Sequence, residues 1–465
     1  MTKPRNYSKL VNELSEEYAR HSPKSAALNL RALQTMIDGG SHSLRLIKPF
    51  PPRLVSAHGA YVQDADGHTL LDFWQGHYAN VLGHNPAVVT SALARAFESG
   101  FGTQTGFTDE LQIEVAEIIC KQTGAERVRF TTSGALATMN AIMLARAFTG
   151  RELVMKVGGG WHGAQPWGLV GVNFMSGAEP WRAESAGLPG TLAREVVVTR
   201  YNHPETLREH FKQSGNRAAC FIVEPFMGAG GFMPATGEYL RAARQLADQY
   251  GVVLIFDEVI SGFRFRAGNL GGLYGIQPDL TTLAKVIGGG MPVAAVAGRA
   301  NILKLCGRDG GNKVRFPGGT YSGHPASMLA AKTLLTYLVE HENEVYPHLA
   351  DLGAQTRQVI EDAFAAEGIF ARCTGYPNDA VRGSSLAVPQ FPYDEKQLLL
   401  DPDDVNDPAK CDVELRDHIF QLALLLEDVH VVHGGGSLST AHTETDIARL
   451  GEACRSVARR VKKHM

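Results

Sequence analysis

Short apolar runs alternate with amphipathic segments through the middle of the chain, and this alternation limits the folds that the chain can adopt. The runs are four or five residues long: 128–131, 153–157, 219–223, 252–256 and 294–297. Apolar residues at helical spacing precede the first run, within residues 111–119, and follow it, within residues 135–147. Because short buried strands that alternate with helices pair into parallel sheets covered on both faces, we predict an α/β fold with a mostly parallel sheet. Such sheets bind ligands at the carboxyl ends of their strands.

The segments on either side of this region predict a second, smaller α+β domain. Apolar residues at helical spacing predict two helices near the N-terminus: Leu10, Leu14 and Tyr18, then Leu30, Leu33 and Ile37. A hairpin with strands at residues 60–63 and 69–73 follows, and a helix over residues 446–463 ends the chain. We predict that residues 1–85 belong to the small domain, that residues 86–337 form the large domain, and that residues 338–465 complete the small one.

Composition and charge exclude several classes of protein. The 45 Lys and Arg residues nearly balance the 48 Asp and Glu residues, so neither a nucleic-acid nor a membrane partner is predicted. No apolar run approaches the roughly 18 residues that a membrane-spanning helix needs, and the first 20 residues lack the apolar stretch of a signal peptide. The six cysteines are widely spaced without a CxxC pair, which favours reduced thiols, a cytoplasmic location and no metal site.

Residues 132–135, Thr-Ser-Gly-Ala, form a candidate phosphate site between a predicted strand and a predicted helix. A helix N-terminus presents free backbone N–H groups and the positive end of the helix dipole, both of which suit a phosphate. Gly134 would let that phosphate approach the backbone closely. Ser133 has a simpler interpretation as an ordinary N-cap residue.

Two further residues, Asp257 and Lys285, follow apolar strands and complete the set that an amino-transfer enzyme needs. A carboxylate facing a pyridine nitrogen keeps that nitrogen protonated, so that the ring withdraws electrons from a carbanion. A lysine beside flexible glycines, here Gly288 to Gly290, can form a Schiff base with an aldehyde cofactor. Asp257 could instead cap a turn, and most lysines are solvated surface charges. The prediction therefore depends on the combination.

Residues 158–163 literally match GxGxxG, the fingerprint of dinucleotide-binding proteins. That fingerprint requires a helix immediately afterwards, whereas Pro166 and Gly168 interrupt the next stretch. We therefore favour a different role, in which Trp161 stacks on a flat cofactor ring.

These motifs together resemble the class-III aminotransferases, which belong to the fold-type I pyridoxal-phosphate enzymes. The most specific stretch is residues 257–264, Asp-Glu-Val-Ile-Ser-Gly-Phe-Arg, with Lys285 lying 28 positions after Asp257 (285 − 257). The resemblance extends from Gly39 to Thr443 and is closest to the glutamate-1-semialdehyde aminomutase-like branch and its β-amino-acid transaminase relatives. It implies pyridoxal 5′-phosphate as the cofactor and a homodimer with its active sites at the interface.

The resemblance also implies roles for individual residues. Lys285 would be the Schiff-base lysine and Asp257 the cofactor aspartate. The other cofactor-binding residues would be Ser133, Gly134 and Ala135 at the phosphate, Trp161 on one face of the ring followed by His162, Val259 on the opposite face, and Thr320 at the phosphate of the other subunit.

The sequence departs from the family pattern at several positions. Leu136 replaces a usual acid, and His324 stands where Asn is usual before proline. The segments at residues 41–43 and 102–105 do not reproduce the gate and substrate residues of the aminomutases. These departures weaken the aminomutase interpretation more than the assignment of the cofactor.

For the substrate, the resemblance places a carboxylate-binding arginine at Arg45, although Arg45 could equally be an ordinary surface residue. His77 and Tyr78 are further candidates for the pocket, although core packing would also explain them. β-Amino-acid relatives have a second arginine near the position of His433, where this chain has histidine.

We therefore predict a pyridoxal-phosphate-dependent transaminase. It would move an amino group from a carboxylate-bearing amino acid, with β-amino acids among the candidates, or from an amine, to a keto acid. The alternative is intramolecular amino transfer of the glutamate-1-semialdehyde 2,1-aminomutase type. A racemase or decarboxylase on the same scaffold, and a non-catalytic protein, also remain open.

Overall fold

The computed structural model describes residues 5–173, 182–432 and 434–465. The strands are β1 Leu54–His58, β2 Tyr61–Asp64, β3 Thr69–Asp72, β4 Arg127–Thr131, β5 Leu153–Val157, β6 Val196–Thr199, β7 Ala218–Val223, β8 Phe226–Met227, β9 Met233–Pro234, β10 Val253–Glu258, β11 Leu280–Leu283, β12 Ala294–Gly298, β13 Arg372–Thr374, β14 Leu386–Gln390, β15 Val429–His430 and β16 Gly436–Ser437. The helices are α1 Ser8–His21, α2 Pro23–Ala32, α3 Gln75–Tyr78, α4 Ala87–Glu98, α5 Glu110–Thr123, α6 Gly134–Thr149, α7 Pro204–Ser214, α8 Gly237–Tyr250, α9 Ala300–Leu303, α10 Pro325–Glu340, α11 Glu342–Ala365, α12 Pro402–Asn406, α13 Gln421–Leu425 and α14 Glu444–Lys462.

A seven-stranded sheet in the order β4-β12-β11-β10-β7-β5-β6 forms the centre of the molecule. All of its strands run parallel to one another except β12, which is antiparallel to both of its neighbours. The predicted mostly parallel sheet is therefore confirmed, and each of the five apolar runs lies in one of its strands. Strand β6 was not predicted from the sequence. Buried apolar side chains lie on both faces of the sheet, as the helical layers on each side require.

Residues from the two ends of the chain join in a separate four-stranded sheet in the order β1-β2-β3-β15. The predicted hairpin is confirmed as the antiparallel pair β2 and β3, and β15 adds to β3 in parallel. Leu10, Leu14 and Tyr18 on α1 are buried as their spacing predicts. The last predicted helix is α14, which buries a continuous face against α11 and neighbouring elements.

The second predicted helix is shorter than its apolar spacing indicates, and this prediction needs correction. Helix α2 ends at Ala32, and Leu30, Leu33 and Ile37 are 67%, 50% and 85% exposed. Backbone hydrogen bonds tighten beyond Ala32 into turns of the i to i−3 kind, and the guanidinium of Arg53 donates to the carbonyl oxygen of Gly39 at 3.0 Å. Apolar spacing alone does not distinguish a core face from one left on the surface of the subunit.

The short helix α3 has an unusual left-handed backbone. Four consecutive residues, Gln75 to Tyr78, have φ angles of 43°, 61°, 65° and 64°. The amide of Tyr78 donates to the carbonyl of Trp74 at 2.9 Å, so that the turn is closed by an i to i−4 bond. Left-handed backbone costs about 1–2 kcal/mol for each residue other than glycine, so the surrounding structure must hold this turn in place.

The carboxylate of Asp72, at the end of β3, holds the start of this turn. It accepts the backbone N–H groups of Trp74 and Gln75 at 3.0 and 2.9 Å, and also the ring nitrogens of His84 and His430 at 2.6 and 2.7 Å. Burial alone would raise the pKa of Asp72, but the hydrogen bonds from His430 and His84 keep it well below its usual range. Asp72 therefore remains ionised and fixes the backbone at the edge of the cavity described below.

None of the helices in the described part of the chain is long and apolar enough to cross a membrane.

Candidate active site

A cavity of about 690 Å³ lies at the carboxyl ends of the central strands, where a parallel sheet is expected to bind its ligand. The predicted site residues that line it are Arg45, His77, Ser133, Gly134, Ala135, Trp161, His162, Asp257, Val259 and Lys285. They come from elements that are far apart in the sequence, and they meet because β4, β7, β10 and β11 end at the same edge of the sheet.

Asp257 is the penultimate residue of β10 and is held by three hydrogen bonds. Its carboxylate accepts from Nδ1 of His162 at 2.7 Å, from the hydroxyl of Thr282 at 2.9 Å and from the backbone N–H of Val259 at 3.2 Å. A carboxylate only accepts, so Nδ1 of His162 carries the hydrogen. Burial lowers the pKa of His162, although Asp257 opposes that shift. The site therefore holds a fixed, buried negative charge next to a neutral imidazole.

The imidazole of His162 leaves its other nitrogen without a partner. Nε2 is buried and makes no hydrogen bond within the described chain. Since buried polar atoms are nearly always hydrogen-bonded in folded proteins, an unpaired nitrogen beside the cavity indicates that a bound group completes the site.

Lys285 lies two residues after the end of β11, and its backbone is left-handed with φ of 51°. Burial lowers the pKa of its amine to about 8, and the nearby carboxylates of Asp257 and Glu224 only partly oppose that shift. An amine with a pKa near 8 is neutral in a minority of molecules at physiological pH, but in far more of them than a free lysine with a pKa of about 10.4, and a neutral amine is nucleophilic. Gly289 and Gly290, both with positive φ, carry the chain away from it.

The start of α6 forms a narrow cradle. Ser133 caps the helix by accepting the N–H of Leu136 at 3.3 Å, which leaves the N–H groups of Gly134 and Ala135 at the free end. A Cβ at Gly134 would lie 3.0 Å from the methyl groups of Val259, and one at Gly163 would lie 2.5 Å from Ala135. A side chain at Gly163 would clash with the backbone of Ala135 and one at Gly134 would crowd Val259, so the two glycines let an anion come close to these backbone donors.

The loop after β5 brings Trp161 and His162 to the cavity. The hydroxyl of Thr138 on α6 donates to the carbonyl of His162 at 2.5 Å, while the side chain of Trp161 is 39% exposed. The described residues that follow the GxGxxG match, 164–173, form turns and no helix. The helix that a dinucleotide site requires is therefore missing from this stretch.

Sequence analysis missed Glu224, which follows β7 and lines the cavity. Its buried carboxyl accepts the backbone N–H groups of Trp161 and Gly228 at 3.0 and 2.9 Å. Burial, and then the charge of Asp257, raise its pKa to about 8. The sequence does contain a signal for this residue. Glu224 directly follows an apolar strand, and Asp257 lies near the end of another.

The predicted substrate residues are only partly at the cavity. Arg45 and His77 line it, and His77 lies on the left-handed turn with its ring 4.5 Å from that of Trp74. Tyr78 instead packs edge-on against Trp74 and Phe232 in the core and is not among the lining residues.

Thr320 is exposed and also lies outside the cavity lining of its own subunit. Its carbonyl accepts the hydroxyl of Thr105 at 3.2 Å. His433 lies outside the residues that the structure describes.

One group of side chains away from the cavity, His21, His68 and Asp428, has potential metal-ligand atoms within 4.8 Å of one another. The two imidazole rings are stacked, with centroids 3.9 Å apart and planes 17° from parallel. In that arrangement the ring lone pairs run side by side, whereas metal ligands must converge on one ion. The stacked pair does not have the geometry of a metal centre.

Comparison with known proteins identifies the family. The sequence model of the class-III aminotransferase family matches residues 47–369. A glutamate-1-semialdehyde 2,1-aminomutase from Laribacter hongkongensis is 37% identical over 421 residues, which are 88% of this chain and 92% of that protein. A β-phenylalanine aminotransferase from Variovorax paradoxus superposes with a TM-score of 0.83 at 30% identity over 97% of both chains. A transaminase with PLP bound superposes with a TM-score of 0.81 at 29% identity, over 95% of this chain and 99% of that one.

Proposed function

Since the chain belongs to the class-III aminotransferases and its cofactor is pyridoxal phosphate, we propose that it transfers an amino group from a carboxylate-bearing amino acid, or from an amine, to a keto acid. The observation that carries this proposal is the convergence of Lys285, the Asp257–His162 pair and the free end of α6 in one cavity. β-Amino acids are among the donors we propose, in keeping with the similarity to a β-phenylalanine aminotransferase.

The residues of the cavity fit this cofactor. The N–H groups of Gly134 and Ala135, with Ser133, would hold the phosphate at the cradle. Asp257 would face the ring nitrogen, and Trp161 and Val259 would cover the two faces of the ring. When bound, pyridoxal phosphate supplies a covalent attachment for the substrate amine and a ring that withdraws electrons from the adjacent carbon.

The chain itself supplies charge, proton transfer and orientation. Asp257 is held in place by three donors, and its carboxylate would hold a proton on the ring nitrogen. Lys285 would take the proton from the substrate carbon that bears the amino group, and would return it on the other side of the transfer. Its lowered pKa, about 8, suits both directions of that exchange near neutral pH.

The test is a half-reaction with cofactor-loaded protein and α-, β- or ω-amino donors, in the absence of a keto acceptor. A transaminase should lose its visible absorbance with one class of donor, release a carbonyl product, and recover the absorbance when a keto acid is added. An aminomutase of the kind found in relatives at 37% identity would rearrange glutamate-1-semialdehyde without an acceptor. Absorbance that persists with every donor would contradict the proposed transamination.

Uptake of the cofactor should depend on the protonation of Lys285. Because only a neutral amine attacks an aldehyde, and because burial lowers the pKa of Lys285 to about 8, the rate of uptake should rise with pH with a midpoint near pH 8 and level off about one pH unit higher. Stopped-flow absorbance of cofactor-free protein mixed with pyridoxal phosphate measures this rate. If the midpoint of the rate instead lies near pH 10.4, the approximate pKa of a free lysine, then burial does not lower the pKa of Lys285.

Arg45 should select donors that carry a carboxylate. Its loss in Arg45→Ala should raise KM for such donors by roughly 10- to 100-fold, the worth of one charged hydrogen bond, and should leave simple amines nearly unaffected. Arg31, an exposed arginine on α2, provides the matched control as Arg31→Ala. An equal change for acids and amines would remove Arg45 from the substrate site.

We also propose that the active unit is a cytoplasmic homodimer with its sites at the interface. The exposed apolar side chains of Leu30, Leu33 and Ile37 and the exposed position of Thr320 support the dimer. The six cysteines are all free thiols, in keeping with a reducing compartment. Light scattering should give twice the mass of the chain, and Ile37→Asp should lower it. A wild-type protein that is monomeric at micromolar concentration would contradict the dimer.

A further inference from the structure

Two buried ionisable residues, Lys156 and Glu224, hold the same peptide unit. The ammonium of Lys156 donates to the carbonyl oxygen of Gly160 at 3.1 Å, and the carboxyl of Glu224 accepts the N–H of Trp161 at 3.0 Å. These are the two polar groups of the single peptide bond that joins Gly160 to Trp161. Both side chains are almost fully buried, with 0% and 4% exposure.

Each of the two residues also fixes a second part of its surroundings. Lys156 donates to the carbonyl oxygens of Gly168 and Val170 at 3.0 and 2.8 Å, so its three N–H groups meet three acceptors. Glu224 accepts the N–H of Gly228 with its other oxygen. Lys156 therefore closes the loop after β5 on itself, while Glu224 joins it to the loop after β7.

The central sheet places the two side chains near the ends of neighbouring strands. Strands β5 and β7 are parallel neighbours, and Lys156 lies opposite Ile222, two residues before Glu224. Burial lowers the pKa of Lys156 to about 8, and the charge of Glu224 partly opposes that shift. The two side chains therefore reach this peptide from neighbouring strands, one at its carbonyl oxygen and the other at its N–H.

We propose that Lys156 and Glu224 act together as positioning residues, which orient the Gly160–Trp161 peptide and so set Trp161 against the cofactor ring and His162 against Asp257. The placement of Trp161 and His162 follows from the proposed cofactor site, so the inference rests on the proposed function. Neither residue needs to touch the substrate, because both act through the backbone.

Space around this peptide is limited, which makes its orientation sensitive to small changes. A Cβ on Gly160 would lie 3.1 Å from the carbonyl of Val157, 3.2 Å from Nε2 of His162 and 3.7 Å from the carboxyl of Glu224. If the peptide rotates, the ring of His162 must move with it, and the hydrogen bond from His162 to Asp257 lengthens. The two residues therefore act on one face of the proposed ring site, through Trp161, and on its nitrogen edge, through His162 and Asp257.

The experiment measures cofactor affinity and hydrogen exchange in the cofactor-loaded protein. Lys156→Met and Glu224→Leu should each weaken cofactor binding by about tenfold or more and should raise the exchange rate of amides in residues 158–170. Glu224→Gln keeps one acceptor oxygen for the Trp161 N–H, so it should restore most of the protection. If the Leu and Gln variants at this position behave alike, the hydrogen bond to Trp161 is not what matters.

A matched control separates positioning from general loss of stability. Arg357 is also a buried cation that donates to two backbone carbonyls, at 3.0 and 2.9 Å, but it lies on α11, outside the cavity lining. Arg357→Met should lower the thermal midpoint without changing the cofactor dissociation constant or the exchange of residues 158–170. Equal losses of cofactor affinity in Arg357→Met and Lys156→Met would overturn the proposal.

The double variant Lys156→Met/Glu224→Leu tests whether the two residues share one target. If both residues act on one peptide, the cofactor affinity of the double variant should be about the same as that of the single variant that binds cofactor less tightly. Multiplication of the two separate effects would mean that the residues act independently and would contradict the proposal. A wild-type protein that takes up no cofactor would instead contradict the proposed function. The exchange rates of residues 158–170 would still decide whether Lys156 and Glu224 hold the Gly160–Trp161 peptide in place.

Discussion

Lys285→Ala protein is expected to lose at least about 1,000-fold in transaminase turnover, since it lacks both the amine that attaches the cofactor and the proposed general base. Lys285 is the lysine that lines the cavity, and burial lowers its pKa to about 8. The visible absorbance of the loaded protein should shift or disappear together with the turnover. The measurement is a steady-state assay with the donor identified by the half-reaction, combined with a spectrum of the same sample.

The control for this substitution is Lys212→Ala, which removes an exposed lysine from α7. Its turnover and stability should remain close to those of the wild type, because exposed charges away from a site contribute little. Addition of a small primary amine to the Lys285→Ala protein should restore part of the turnover if proton transfer is what was lost. A Lys285→Ala protein with full turnover would show that another residue carries the chemistry.

Asp257→Asn is expected to reduce turnover by roughly 100- to 10,000-fold with little change in fold. Asparagine has the same size but no charge, so it would no longer stabilise a proton on the ring nitrogen. His162, Thr282 and Val259 all donate hydrogen bonds to the carboxylate of Asp257. The side-chain amide of asparagine would bring its own N–H donors against one or more of these donors. Turnover, cofactor affinity and thermal midpoint should be measured on the same preparation.

The same sheet offers a matched control for Asp257. Asp279 is also a buried carboxylate, but it lies just before β11, at the opposite edge, where it accepts from Leu254, Arg244 and Arg299. Asp279→Asn should cost about 1–3 kcal/mol of unfolding free energy and leave kcat nearly unchanged. If Asp257→Asn and Asp279→Asn had the same kcat, the position of Asp257 at the carboxyl ends of the strands would not contribute to catalysis.

The predicted site residues that line the cavity were found from local signals. Ser133 caps α6, and Asp257 and Lys285 end or follow buried strands, so each prediction needed only a short apolar run and the residue after it. The carboxyl ends of parallel strands then bring these residues together without further information. This is why the central sheet and the cavity residues near it could be predicted.

The parts that were missed depend on contacts between distant segments. Lys156 lies within an apolar strand, and its three acceptors come from a loop whose path is not encoded in the strand. The left-handed turn at residues 75–78 contains only one glycine, and it is held by a carboxylate bonded to His430, which is 358 positions away from Asp72. The exposed apolar residues after Ala32 have the same spacing as a buried helix face.

The pairing of β15 with β3 has a consequence for biosynthesis. The partner of β3 is synthesised 358 residues after it, which at 5–20 residues per second corresponds to roughly 20 to 70 seconds of translation. During that interval the N-terminal hairpin presents one unpaired edge, which in a crowded cell is available to other strands. All seven strands of the central sheet are therefore synthesised before β3 acquires its last neighbour.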